Sequence, residues 1–271
     1  MEYLTLNTGI KVPVLGFGVY LIDPSETKQA VLTALKSGYR SIDTAQYYQN
    51  EQQVGEAIRE SGIPREEIFV TTKAATDGYE ATKQGIEESL KKAGLEYFDM
   101  MILHWPMEHS IDSYRALRDA YKEGKLKNIG ISNFNINQTK EIMASTDVKP
   151  VVDQIETHIY LQQGKMHKFL TENDIIHESW SPLMEDAHTN LTNPTLKKIG
   201  EKYGKNGIQV ILRFLTQNNI MTIPRSTNPK HIKDNIDIFD FNLTPEEMDE
   251  IRALDRRQPI DGWPAEMRID E

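Results

Sequence analysis

The feature that most constrains this chain is an alternation. Short aliphatic or β-branched runs recur near Leu15–Val19, Arg40–Asp43, Ile68–Thr72, Met100–Leu103, Asn128–Ile131, Val151–Ile155, Ile175–Trp180 and Ile220–Ile223. Each is followed by a longer segment of helical character. Runs without a polar face are what a parallel sheet covered on both sides requires. The intervening segments carry helix signals. Pro24-Ser25 precedes Glu26–Ser37, where Ala30, Val31, Ala34 and Leu35 fall at helical spacing and Gly38 supplies a stop. Thr82–Ala93 sets Ile86, Leu90 and Ala93 on one face before Gly94. Ile111–Lys122 stops at Glu123-Gly124, and Gln138–Ala144 follows the turn Asn135-Ile136-Asn137. Thr244-Pro245-Glu246-Glu247 opens the last helix with a cap, a proline at the first position and a capping-box Glu. Asn7-Thr8-Gly9 between Tyr3–Leu6 and Lys11–Val14 predicts a hairpin ahead of the first strand.

Eight strand-then-helix units in 271 residues, with no linker or low-complexity tract, predict an α/β chain folded as one (β/α)8 barrel domain over residues 1–271. The rival is a doubly wound open sheet, marked by Gly-x-Gly-x-x-Gly after the first strand. Here Gly16-Phe17-Gly18 leads into Val19-Tyr20-Leu21 with no third glycine, so the barrel is preferred.

Composition then narrows the function. The absence of Cys excludes a disulfide scaffold, a thiolate metal site and a cysteine nucleophile. With 31 basic and 41 acidic residues the net charge is −10, which argues against nucleic acid as the main partner. The N-terminal MEYLTLNTGI lacks the basic start and apolar core of a secretion signal, and no apolar run reaches membrane-spanning length. A cytoplasmic monomer without a membrane partner is expected. His104 with His109, and Asp153 with Glu156 and His158, match no metal-ligand spacing, so no metal is expected either.

Polar residues close or follow nearly every proposed strand: Asp43, Lys73, His104, Ser132-Asn133, Gln154, Ser181 and Arg225-Ser226. A barrel gathers these strand ends at one mouth, where such folds carry their chemistry. Four residues can make a proton donor. Tyr48 alone is a weak acid, with a reference pKa of about 10. A nearby ammonium favours the phenolate, so Lys73, held by Asp43, is expected to lower that value. His104 would hydrogen-bond and orient a substrate oxygen. Each residue also has a plain structural reading: an Asp-Lys ion pair, a packing tyrosine, a core histidine.

Longer motifs add weight. Gly38-Tyr39-Arg40-Ser41-Ile42-Asp43-Thr44-Ala45, then five residues including Tyr48, then Glu51-Gln52-Gln53-Val54-Gly55, resembles the first signature of the aldo-keto reductases. Lys127-Asn128-Ile129-Gly130-Ile131-Ser132-Asn133-Phe134 resembles a second, and Ile223-Pro224-Arg225-Ser226 a third. The likeness runs in family order from about Leu15 to Arg257. It implies a barrel that binds NADPH across its mouth, with NADH a possible substitute, and reduces the carbonyl of a small substrate. By this resemblance Tyr48 donates the proton, Asp43 and Lys73 tune it, and His104 positions the carbonyl. Ser132, Asn133 and Gln154 would hold the nicotinamide carboxamide, with Trp180 stacked on the ring where many relatives have tyrosine. Ser181 and Leu183 would follow the pyrophosphate. Arg225, Ser226 and Thr227 would meet the 2′-phosphate, with Asn235 at the adenine.

Two departures bear on specificity. His231 stands where many relatives carry an arginine on the 2′-phosphate, which leaves room for NADH. The segment Pro106-Met107-Glu108-His109-Ser110 is short, and only fourteen residues, Trp263 among them, follow Arg257. Tyr20, Tyr47 and Trp105 would then line an open substrate pocket, as in bacterial reductases of small aldehydes, methylglyoxal and keto-sugar acids. Two other readings are a barrel lyase forming a Schiff base on Lys73, and a non-catalytic NADP(H)-binding redox sensor.

Overall fold

The computed structural model describes residues 1–184, 187–260, 262 and 269. Eight parallel strands follow one another in space in chain order: β3 (Phe17–Gly18), β4 (Ser41–Asp43), β5 (Phe69–Ala74), β6 (Met100–Leu103), β7 (Ile129–Ser132), β8 (Val152–Glu156), β9 (Ile176–Trp180) and β10 (Met221–Thr222). The last returns to the first. Gly16 N–H donates to Thr222 O at 2.9 Å, Thr222 N–H to Val14 O at 3.0 Å and Gly18 N–H to Pro224 O at 3.1 Å, closing the ring. The fold is therefore a (β/α)8 barrel. The predicted first strand shortens to two residues because Leu15 and Gly16 pair with the last strand instead. The lone Gly-x-Gly has a packing purpose here: a Cβ on Gly18 would sit 2.9 Å from the carbonyl oxygen of Ile223, so a side chain would obstruct closure.

The hairpin of β1 (Tyr3–Thr5) and β2 (Lys11–Pro13) covers the N-terminal end of the barrel. Asn7 Nδ2 donates to Pro150 O at 3.0 Å and to Asp174 O at 3.1 Å, both just ahead of strands, and Thr8 Oγ1 donates to Asn128 at 2.7 Å. Its Leu6 and Val12 join Phe69, Met100, Ile102, Val152 and Met221 in an apolar plug. Burying such side chains stabilises by about 1.5–3 kcal/mol each, so this end is closed and the polar residues are left to the other.

Helices fill the outer layer. α1 (Pro24–Lys36), α2 (Glu51–Glu60), α3 (Tyr79–Ala93), α4 (Ser110–Lys122), α5 (Ile136–Ser145) and α6 (Gly164–Glu172) each follow a strand. The connection from β9 to β10 holds three, α7 (Ala187–Thr192), α8 (Pro194–Tyr203) and α9 (Gly207–Gln217); α10 (Pro229–Ile236) and α11 (Pro245–Arg252) end the order. Asn135 and Thr244 make full capping boxes with Gln138 and Glu247, so α5 begins two residues before the sequence reading placed it. Gly55, within the first signature motif, serves helix packing. Its absent Cβ would lie 1.8 Å from Ala93 O, so α2 and α3 meet there backbone to backbone. Among the described residues no helix is long and apolar enough to cross a membrane. Trp263 lies outside the described residues.

Candidate active site

The site is built on the ends of strands. Asp43 closes β4, Lys73 lies one residue inside the end of β5, Ser132 closes β7, Gln154 sits mid-β8 and Trp180 closes β9. His104 follows β6, while Asn133 and Ser181 take left-handed turns, at φ +64° and +52°, as the chain leaves β7 and β9. Tyr48 ends the single-turn helix Gln46–Tyr48 after β4. Gln46 fastens that turn to β5 and α3: its Nε2 donates to Gly85 O and its Oε1 accepts from Ala75 N–H, both at 2.9 Å.

At the floor, the fully buried Lys73 donates to the Asp43 carboxylate and, at 3.1 Å, to Thr44 O. Its ammonium lies 4.9 Å from the centre of the Tyr48 ring. Gln154 Nε2 donates to the other Asp43 oxygen at 3.1 Å, and the Ser132 hydroxyl donates to Gln154 O at 2.7 Å. Burial alone lowers the Lys73 pKa, but the Asp43 and Tyr48 charges outweigh it, and the ammonium is held above its ordinary range. Burial, helped by the Lys73 charge, puts His104 well below its usual value, so the imidazole is neutral. His104 Nδ1 is buried without a hydrogen-bond partner among the described residues.

Tyr48 corrects an expectation. Burial pushes its pKa up to about 12; Lys73 pulls it down as anticipated, while Asp43 pushes the other way. The sequence shows which charges are neighbours but not how deeply they are buried, and here burial wins. Tyr48 therefore holds its proton firmly at neutral pH.

Above the floor lies a cavity of about 360 Å³. Trp180, Ser181 and Leu183 line it from the β9 side, Tyr20 and Tyr47 from the loops after β3 and β4, and Arg225, Ser226 and Thr227 form its rim after β10. Tyr48, His104, Ser132, Asn133 and Gln154 line it too, whereas Lys73 lies beneath. Three further expected residues stay out of the lining. Trp105 backs the site by stacking on His104 at 4.3 Å and meeting Tyr47 edge-on at 5.9 Å. His231 and Asn235 lie on α10, beyond the cavity, one exposed and one buried.

The sequence model of the Aldo/keto reductase family matches residues 15–256. The chain belongs to this family. It is 41% identical over 270 residues to glyoxal reductase of Bacillus subtilis (strain 168), spanning 98% of this chain and 97% of that one. The fold superposes with a TM-score of 0.94 on the crystal structure of an aldo-keto reductase from a Medee basin deep-sea metagenome library, at 38% identity over the whole of both chains. It superposes at 0.90 on Bombyx mori aldo-keto reductase in complex with NADP, at 33% identity and covering 96% and 95% of the two.

As an aldo/keto reductase, the protein is an NAD(P)H-dependent oxidoreductase acting on carbonyl groups. The cavity suits such a coenzyme. Trp180 offers a flat aromatic wall, its indole fixed by an Nε1–H donated to Asn133 Oδ1 at 2.8 Å. Asn133 Nδ2 donates to His104 O at 3.0 Å and to Ser132 Oγ at 3.1 Å, and Gln154 Nε2 is engaged by Asp43. What these side chains still offer is acceptor oxygens, which suit the NH2 of a carboxamide. At the rim, the exposed Arg225 has no ion-pair partner among the described residues. A free guanidinium beside two hydroxyls is suitable chemistry for a phosphate.

The Schiff-base reading fails on Lys73 itself: an amine nucleophile must be neutral and reachable, and this one is buried, ion-paired and held protonated. Among the described residues no group of three or more His, Asp or Glu is placed to hold a metal. Sequence reasoning also missed parts of the site. Leu21 and Met184 line the cavity from left-handed turns, and Glu178 lies buried within the barrel. The period of two along β9 would have found Glu178, since it shares the inward face of Trp180.

Proposed function

We propose that this protein is an NADPH-dependent reductase of small aldehydes and dicarbonyls, acting as a single-domain cytoplasmic monomer, with Tyr48 as its proton donor. The observation that carries the reading is the buried Asp43–Lys73 pair set under Tyr48, with neutral His104 adjoining, at the floor of the cavity. Bound NADPH supplies the hydride at C4 of its nicotinamide. Tyr48, still protonated at neutral pH, delivers a proton to the carbonyl oxygen as charge develops there. The Lys73 ammonium below stabilises the phenolate this leaves, and Asp43 keeps that ammonium in place. His104 lines the cavity with Nδ1 turned into the protein, which leaves Nε2 to orient the carbonyl.

Ser132, Asn133 and Gln154 would take the carboxamide, Trp180 the ring, Ser181 and Leu183 the pyrophosphate, and Arg225, Ser226 and Thr227 the 2′-phosphate. His231 and Asn235 would complete the adenosine end. A small dicarbonyl is supported by the glyoxal reductase relative and by a pocket walled by Tyr20 and Tyr47 with Trp105 behind.

Tyr48→Phe tests the mechanism, because it removes the acid and keeps the ring. Turnover of glyoxal or methylglyoxal is expected to fall by roughly 10²–10⁴-fold, the usual contribution of a general acid, while NADPH still binds. Full activity in that variant would sink the assignment. Tight NADPH binding by the unmodified protein without turnover of any carbonyl would favour a sensor instead.

A further inference from the structure

The barrel interior holds a carboxyl group that the mechanism above does not use. β9 sends three side chains inward: Ile176 against the apolar plug, Trp180 at the cavity, and Glu178 in the layer between. Glu178 is 1% exposed, and its Oε2 has no hydrogen-bond partner among the described residues. Register places it beside Gln154 on β8 and Met221 on β10. Gln154, its register neighbour, donates to Asp43, which in turn holds the Lys73 ammonium beneath Tyr48. A buried carboxyl with an unsatisfied oxygen is costly, and an apolar residue there would simply extend the plug.

We propose that Glu178 is a positioning residue that sets the net charge of the barrel floor and, through Gln154, Asp43 and Lys73, how readily Tyr48 gives up its proton. The proposal rests on the assignment of Tyr48 as proton donor. Two carboxyl groups here feel the charge of one ammonium, which is paired with Asp43. With Glu178 protonated, the Asp43–Lys73 pair is neutral overall; with Glu178 ionised, the floor carries one uncompensated negative charge. That charge opposes the phenolate left behind when Tyr48 protonates a substrate, so reduction slows.

The change falls within an accessible pH range. Burial first, and the Asp43 charge second, raise the Glu178 pKa to about 8, with Gln154 and Lys73 pulling against them. The charged and titratable groups facing it are Asp43 from β4 and Lys73 from β5, with Tyr48 beyond Lys73. Tyr48 sits near 12, Lys73 above its ordinary range and His104 well below its own. Of these groups, Glu178 is the one raised into the range between pH 7 and 9.5, and its replacement by Gln assigns the inflection.

The experiment is a single-turnover measurement of NADPH oxidation by methylglyoxal from pH 6 to 9.5, read in each protein as the ratio of the rate at pH 9.5 to that at pH 7. In the wild type this ratio is expected to drop about three- to tenfold, up to the effect of about one pH unit of Tyr48 acidity. In Glu178→Gln, which keeps the shape of the protonated acid, the drop disappears; in Glu178→Asp it persists with its midpoint moved. Superimposable wild-type and Gln profiles would overturn the proposal, as would a Gln variant slowed by one factor at every pH. A wild-type rate flat across the range would overturn it without any variant. Full activity in Tyr48→Phe would instead defeat the proton-donor assignment itself, so the two failures are distinct.

Discussion

The floor and the rim of this cavity are built on opposite plans. At the floor Lys73 is fully buried, and Asp43, Gln154, Ser132, Asn133 and Trp180 are tied into one continuous hydrogen-bonded set. At the rim Arg225 and Thr227 are exposed, and Lys230, at the start of α10, spends its charge on Asp234 one turn along, at 2.7 Å. Under the proposed function the floor presents fixed charges to a transition state, and groups already oriented need not reorganise during reaction. Under the proposed function the rim captures and releases a whole coenzyme, which exposed, solvated side chains do at lower cost. On that reading one region serves rate, the other exchange.

The sharpest way to break that contrast is to remove the ammonium. Lys73→Met leaves the Asp43 carboxylate buried without its partner. It is expected to abolish measurable turnover and to lower unfolding stability by about 3–5 kcal/mol, read by denaturant titration. A variant of unchanged stability and rate would mean that the floor is not the prepaid electrostatic unit described here.

A smaller effect of a different kind is expected at the rim. Arg225→Ala should raise the KM for NADPH by about 10–100-fold, the value of one charge-assisted contact, with the loss falling on KM rather than kcat. The KM for NADH should move much less, since NADH lacks the 2′-phosphate. A loss confined to kcat would place Arg225 in the chemistry and blur the two regions. The smallest change is His231→Arg. Adding a permanent cation should increase the preference for NADPH over NADH by about three- to tenfold, measured as a ratio of kcat/KM values.

The same division governs what the sequence disclosed. The barrel was legible because each strand is a short apolar run that a helical pattern follows, and Met100–Leu103 falls where it was placed. Rim and floor candidates were legible because polar residues at strand ends are exceptional against those runs. The burial that overrides Lys73 in setting the Tyr48 pKa was not, because burial is a property of the closed barrel and not of any motif. Glu178 was legible in part: the period of two along β9 puts it on the inward face, but not beside its charged neighbours. It lies two residues inside a strand end, where its side chain is seen to face Asp43 and Lys73 only once the ring of strands has closed. The three helices between β9 and β10 lay in a segment read only as one more helical unit.

The indole of Trp180 does more than form a wall. It is tethered to Asn133 where the coenzyme is proposed to lie, while Trp105 stacks on His104 behind the proposed substrate pocket. Each half of the proposed reaction thus has a fluorophore at the cavity or directly behind it, where an experimenter would otherwise have to engineer an optical probe. The chain has a third tryptophan, Trp263, so in a Trp263→Phe background replacing Trp105 or Trp180 in turn leaves one emitter each, and coenzyme arrival and substrate arrival can be timed separately.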